Sequence, residues 1–276
     1  MSGAAPPAIA DDDETPALGD FFISRDYSVR TFSLAPPSGS AAPPVAVQLD
    51  ALASASTDFD LTGQIVWANS VLVAHYLAHG AGRARAAAAR DVLELGAGCG
   101  LCGLTAARAA ARVFLTDNEP EVLALLARSA AAHAPAGAAA HVAPLSWGCR
   151  ADEAALAAAA GRETWELIVG ADVIYWSHAV ALLFDTVAAL LAPRGAFVCG
   201  FTNRTNGLRA ATEAAAAAAG FAWDCVPPGD FLPDPLPADL GPHVGMMTLY
   251  VFRWAEGRGA GAGPAAAAEG GGPAEG

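Results

Sequence analysis

The chain of 276 residues contains no lysine: all 15 of its basic residues are arginine, set against 28 acids for a formal net charge of −13. A surface with that balance is unsuited to nucleic acid, whose phosphates need a basic face, and better suited to a basic protein partner. Part of the charge is concentrated in Asp11, Asp12, Asp13 and Glu14. Long apolar runs are missing as well. Stretches such as Ala179 to Leu191 are broken by Asp185, so none reaches the ~20 apolar residues of a membrane span. The five cysteines, at 99, 102, 149, 199 and 225, make an odd count without disulfide-like spacing, and MSGAAPPAIADDDE lacks both a basic n-region and an apolar h-region. Both features point to a reducing interior, cytoplasmic or nuclear. A nucleophile elbow G-x-S-x-G is absent, which removes support for a hydrolase. Cys99 and Cys102 form a C-x-x-C with no second pair for zinc, and between His75 and His79 Tyr76 stands where a zinc protease needs Glu, so no metal is expected. No 20- to 50-residue repeat is visible.

Both ends are low in complexity, Ser2 to Ala17 rich in Ala, Pro and acids, and Glu256 to Gly276 almost wholly Gly, Ala, Pro and Glu. Neither can bury a core, and both are expected to be disordered. Phe21 to Leu34 and Val45 to Leu52 alternate as short strands do, separated by the Pro/Ser/Gly loop Ala35 to Pro44, and read as a hairpin. Gln64 to His79, with apolar residues at 65, 66, 71, 72, 73, 76 and 77, reads as a helix. From Asp91 onward strands are expected near 91–95, 112–117, 141–146, 165–171, 196–201, 221–226 and 246–254, with helices between the first six. The last two are joined by the Pro/Gly/Asp-rich loop Pro227 to Gly245, which predicts an antiparallel final strand. The expected fold is therefore α/β: a Rossmann-like, seven-stranded, mostly parallel sheet with an antiparallel last strand, helices on both faces and an N-terminal β-hairpin. The expected division is a tail over 1–19, a hairpin extension over 20–60, the main domain over 61–255 and a tail over 256–276.

The most informative segment is DVLELGAGCGLCGLTAARAAARVFLTDN, residues 91 to 118. It reads as strand, glycine turn, helix and a second strand ending in Asp117, whose carboxylate can accept both hydroxyls of a ribose. Gly96, Gly98 and Gly100 permit positive φ and a close backbone approach. Gly98 to Gly103 fits the dinucleotide fingerprint G-x-G-x-x-G, with Asp117 at a suitable distance. The alternative frame, Glu94-x-Gly96-x-Gly98-x-Gly100, is the pattern of S-adenosylmethionine sites. A carboxylate at Glu94 would repel a pyrophosphate and favour the ammonium and sulfonium of the methyl donor, so the second frame is preferred.

Five runs extend this reading: GQIVW at 63–67, LELGAGCGLCGL at 93–104, LTD at 115–117, LSWG at 145–148 and ELIVGADVIY at 166–175. In this order they resemble methyltransferase family 16, seven-β-strand protein methyltransferases that are largely lysine-specific. The resemblance implies S-adenosylmethionine as cofactor, with Glu94 and the glycine turn (Gly96, Gly98, Gly100) holding the methionine part, Asp117 the ribose, Trp147 against the adenine and Trp67 closing over the cofactor. Ala171 would line the transfer site by its backbone, Asp172 would orient the acceptor amine, and Tyr175, with Trp176, would wall its channel. The chain departs from the group at Ser146, where an acid often precedes the Trp-Gly pair, at Glu166, where Asp is commoner, and at Arg128 to His133, which lacks the group's helix asparagine. The implied activity is protein N-methylation, with lysine the expected acceptor and arginine or histidine the alternatives. The expected partner is a protein substrate of the chaperone or translation-factor type, met by a monomer. A non-catalytic cofactor-binding scaffold and a nicotinamide-dependent oxidoreductase are the competing classes.

Overall fold

The computed structural model describes residues 26–53, 59–240 and 244–257. The expected tails over 1–19 and beyond 257, and the start of the first hairpin strand, lie outside these residues. Strands β1 (Ser28–Leu34) and β2 (Val45–Ala51) pair antiparallel as a separate two-stranded sheet. A 3-10 turn over Phe59–Gln64 precedes α1 (Ala68–Ala78) and α2 (Gly80–Ala88). The expected single helix over 64–79 thus starts four residues later, and α2, rich in Ala, Gly and Arg, was not anticipated.

The main unit then alternates: β3 (Asp91–Leu95), α3 (Leu101–Ala106), β4 (Arg112–Asp117), α4 (Pro120–His133), β5 (Ala139–Pro144), α5 (Arg150–Ala160), β6 (Trp165–Ala171), α6 (Ser177–Leu190), β7 (Leu191–Thr202), α7 (Leu208–Ala218), β8 (Phe221–Val226) and β9 (Met247–Trp254). Seven strands form one sheet in the order β5-β4-β3-β6-β7-β9-β8. β3 to β7 run parallel, and β9 lies antiparallel between β7 and β8. The seven-stranded expectation therefore holds, with β5 two residues earlier than the pattern suggested and β7 beginning five residues earlier.

Strand residues alternate between two cores, as a period of two requires. Val92, Val113, Leu167, Val169 and Val198 join the cluster under α1, α3 and α4, whereas Leu93, Phe114, Ile168, Phe197 and Phe252 join the cluster under α6 and α7. α1 is apolar on nearly all sides because the sheet covers one flank and the hairpin another. His75 and His79 tether the two: their ring nitrogens lie 3.3 Å and 2.9 Å from the carbonyl oxygens of Ala35 and Leu34. Burial holds His75 down at about 4, so the ring is neutral at physiological pH. On the other side of the hairpin Asp50 takes an ion pair from Arg128 at 2.6 Å, and its backbone N–H donates to the Ser129 hydroxyl at 2.9 Å.

At the N-terminal end of β3, away from the glycine turn, the fully buried Asp91 accepts from Arg112 at 2.7 and 2.6 Å and from Arg162 at 2.6 Å. Burial opposes its ionisation, but the two guanidiniums outweigh that and hold the carboxyl below the usual carboxylate range. Removing one member of such a buried cluster strands the others' charge, at a cost of about 3 kcal/mol. Asp91→Ala is expected to lower thermal stability by that amount while leaving ligand affinity at the opposite end of the strand unchanged, as paired melting and calorimetry would show.

Candidate active site

The C-terminal ends of β3, β4 and β6 open onto a cavity of about 210 Å³. β3 lies between β4 and β6, which is where the chain order reverses and where open parallel sheets bind ligands. The segment before α1 supplies Thr62 and Trp67, the first turn of α1 supplies Ser70, the turn after β3 supplies Gly96 to Cys99, and β4 ends at Asp117 with Asn118 and Glu119 behind it. Trp147 comes from the loop after β5, and Ala171, Asp172, Val173 and Tyr175 from the end of β6 and its loop. None of the described lining residues is basic.

The turn is shaped by absence of side chains. Gly96 and Gly98 have φ of +58° and +52°; a Cβ at Gly96 would stand 2.8 Å from Val173 Cγ1 and 3.3 Å from the Trp147 ring, and one at Gly98 3.0 Å from the Gly63 carbonyl. Asp117 braces the same turn, accepting from the backbone N–H of Gly98 at 3.0 Å and of Asn118 at 2.9 Å. Burial pushes its carboxyl up, and the N–H groups of Gly98, Glu119 and Asn118 only partly offset this. Trp67 is fixed by its indole N–H, which donates to the Thr62 carbonyl at 2.8 Å.

Two of the predicted residues lie elsewhere than expected. Glu94 is 2% exposed and does not line the cavity. It points beneath the turn, where its Oε2 accepts from the Gly103 backbone N–H at 2.8 Å, and burial pushes its carboxyl up to about 8 despite that bond. It anchors the start of α3, so a carboxylate charge at Glu94 presented to a ligand is not what separates the two readings of the glycine turn; the cavity lining, whose charged residues are all acids, is. Gly100 also faces inward, with Leu126 Cδ1 2.7 Å from the position of a Cβ.

The far corner is built around Asp172. It is the one non-glycine residue among those described with positive φ, +58°, in the left-handed region that Asp tolerates better than most residues but still at a cost. Its Oδ1 accepts from Asn69 Nδ2 and from Arg204, each at 2.8 Å, while its Oδ2 is buried with no partner among the described residues. Asn69, fully buried, spends its second amide hydrogen on the Thr202 hydroxyl at 2.8 Å. Arg204 also lies over the Trp67 ring, 5.1 Å from its centroid. Tyr175 stands 48% exposed beside the mouth, 5.8 Å from Trp176 between ring centroids, and burial followed by the charges of Asp117 and Glu119 pushes its phenol up. Asn69, Thr202 and Arg204 escaped the sequence reading: each belongs to a different segment from Asp172, and no spacing within one segment marks them.

The residues present suit S-adenosylmethionine. Acids at Asp117 and Asp172 match hydroxyls and cationic groups, Trp67 and Trp147 offer flat faces to a purine, and the turn leaves backbone where a Cβ would block approach. A family model described as lysine methyltransferase matches residues 50–213. The chain belongs to this family. It is 34% identical over 106 residues to the EEF1A lysine methyltransferase 3 of Mus musculus, covering 38% of this chain and 42% of that one. Against the protein N-lysine methyltransferase METTL21A of Danio rerio it is 34% identical over 128 residues, covering 46% and 54%. The chain thus spans about half the length of the curated relatives it matches. Among solved structures, SMU.776 complexed with SAH has a TM-score of 0.51 at 16% identity, covering 75% of this chain and 53% of that one, a likeness of fold.

Within this family the departure at Ser146 has a structural counterpart, since Asp152 accepts the Ser146 backbone N–H at 2.9 Å and brings a carboxylate to that loop from α5. Glu94 yields a pH test. Its folded-state carboxyl, at about 8 against an ordinary 4.5, contributes stability that is complete below the ordinary value and is lost as pH rises through the folded one. Wild-type melting temperature is therefore expected to fall between pH 5 and 8.5. Glu94→Gln should flatten that slope and melt higher than wild type at pH 8.5; an unchanged slope would show that the carboxyl ionises at no cost in the folded chain.

Proposed function

We propose that the protein transfers a methyl group from S-adenosylmethionine to the side-chain amine of lysine in a protein substrate. The observation that carries this reading is the Asp172 corner. One carboxylate oxygen accepts from two donors, and the other is buried without a partner among the described residues. A single open acceptor fits one N–H of an amine, whereas the planar fork of an arginine guanidinium calls for two. Methyl transfer from a sulfonium is an in-line displacement in which the protein contributes position and field. The bound cofactor supplies an electrophilic methyl group. The amine lone pair forms the new N–C bond, the C–S pair stays with sulfur, and the nitrogen sheds its proton to water.

In this reading Asp117 holds the ribose, Trp147 lies against the adenine, Trp67 closes over the cofactor, and the backbone of Gly96 and Gly98 borders the methionine part. Ala171 lines the transfer point, Asp172 accepts from the amine, and Tyr175 walls its approach. The mouse relative's name gives EEF1A as its substrate, and a translation factor of that kind is the substrate we infer, in keeping with the acidic composition of this chain. The same composition and five free cysteines, three of them buried, support a monomer working in the cytoplasm or nucleus apart from nucleic acid. No helix among the described residues is long and apolar enough to cross a membrane.

Two measurements test the reading. S-adenosylhomocysteine is expected to raise the melting temperature by mass action and NAD to leave it unchanged; a larger shift with NAD would overturn the cofactor. Asp117→Ala should weaken S-adenosylhomocysteine binding in calorimetry by roughly 1.5–3 kcal/mol, the worth of hydrogen bonds to a charged acceptor.

The acceptor side separates from the donor side. Asp172→Asn, which keeps a residue tolerant of positive φ, and Tyr175→Ala are expected to retain S-adenosylhomocysteine affinity but lose roughly 10²-fold in methyl transfer, since they act on alignment in the transition state. Tritiated-methyl labelling of a cell extract reads the rate. Replacing the labelled lysine by arginine in the identified substrate should abolish the signal, and undiminished labelling would refute the lysine assignment.

A further inference from the structure

Arg204 belongs to none of the motifs above, yet it touches both sides of the site. Its guanidinium donates to Asp172 Oδ1 at 2.8 Å and lies 5.1 Å from the centroid of Trp67, a residue of the cavity wall. Its side chain is 41% exposed while that of Asp172 is 8% exposed, so it covers the carboxylate from the solvent side. Asn69 meets the same oxygen from α1 and is itself locked by Thr202 of β7. The carboxylate is thereby held with Oδ2 as the oxygen that has no partner among the described residues.

Neutrality of the acceptor is the chemical requirement of the site. A lysine arrives as an ammonium, with an ordinary pKa near 10.4, and an ammonium has no lone pair to attack a methyl group. A bare buried carboxylate would make this worse, because an opposite charge within a few ångströms stabilises the protonated amine. A guanidinium bonded to that carboxylate cancels most of its field and, unlike a lysine or histidine in its place, stays charged at every working pH.

We propose that Arg204 is a positioning residue that neutralises Asp172 and so keeps the bound acceptor lysine in its unprotonated form, leaving Asp172 Oδ2 to aim the amine by a hydrogen bond. This rests on the lysine-methyltransferase reading. The other titratable groups around this corner are Asp117 and Glu119 across the cavity, Tyr175 from the loop after β6, Cys99 from the glycine turn, and Cys102 of α3 and Cys199 of β7 behind Asp172. Burial pushes the Cys99 thiol up to about 12 and the Cys102 and Cys199 thiols higher than their ordinary range, so they stay uncharged. Arg204→Gln leaves every one of these groups in the chain, and the guanidinium is the one charge it removes.

The test is single-turnover labelling of a cell extract with tritiated S-adenosylmethionine and enzyme in excess, at an enzyme concentration beyond which the rate no longer rises, followed from pH 6.5 to 10. Under these conditions the acid limb reports the bound amine and not the free substrate. Arg204→Gln, which keeps a donor for Asp172 but removes the charge, is expected to move that limb upward by on the order of one pH unit. Arg204→Lys should return it to the wild-type position over the range in which the substituted ammonium stays charged. An acid limb unmoved in R204Q, or moved as far in R204K as in R204Q, would overturn the proposal while leaving the methyltransferase reading intact. Absence of any labelling by the wild-type chain would overturn that reading and this inference with it.

Discussion

Because connections between parallel strands are right-handed, a sheet that starts at β3, runs outward through β4 and β5 and then returns to the other side of β3 at β6 must put its helices on opposite faces. At the point of reversal the loops after β3, β4 and β6 diverge and leave a crevice at the C-terminal edge. Everything functional in this chain depends on that placement. Asp117, Trp147 and Asp172 are 25 or more residues apart in sequence, and they meet because each follows a strand that ends at the same edge. The glycine turn completes the crevice by removing side chains where Trp147, Val173 and the Gly63 carbonyl press in.

Several groups at that edge are held in states that folding alone would disfavour. Asp172 sits at positive φ, its Oδ2 and the Oδ1 of Asn69 are buried without partners among the described residues, and Asp117 is half-buried with its carboxyl pushed up. Each unsatisfied buried polar atom costs on the order of 1–3 kcal/mol, and such features persist only where the surroundings impose them. Here the surroundings are explicit: β6, β7 and α1 fix Asp172 through the backbone bond to the Gly200 carbonyl at 3.1 Å and through Asn69 and Thr202. By contrast, Asp91 at the other end of β3 has both its oxygens paired with arginine, as a residue serving stability requires.

The strand pattern was legible because buried parallel strands leave continuous apolar runs between glycine and acid punctuation, and the Pro-rich 227–245 loop marked β9 as antiparallel. Less legible were features set by packing. β5 is partly exposed along its length, so its apolar pattern was weak and its position was read two residues late. α2 has little apolar periodicity of its own, since only Gly82 and Ala86 are buried. The direction of Glu94 is likewise set by packing, through parity. Its neighbours Leu93 and Leu95 face α6 while Val92 and Glu94 face α3, so a residue that lies at the cavity's edge in sequence points under the turn and not into the crevice. Asn69 and Arg204 could not be found at all, because their role depends on a carboxylate 103 and 32 residues away, respectively.

The missing lysines acquire a chemical consequence once the site is in view. The charged residues that line the crevice are acids, set beside Trp67, Trp147 and Tyr175, and Asp172 Oδ2 is buried without a partner among the described residues. With arginine in every Lys/Arg position of the chain, the cation that pairs with Asp172 is a guanidinium and not a flexible ammonium. The guanidinium that does reach Asp172, Arg204, is of the kind that neutralises the carboxylate without competing as a methyl acceptor.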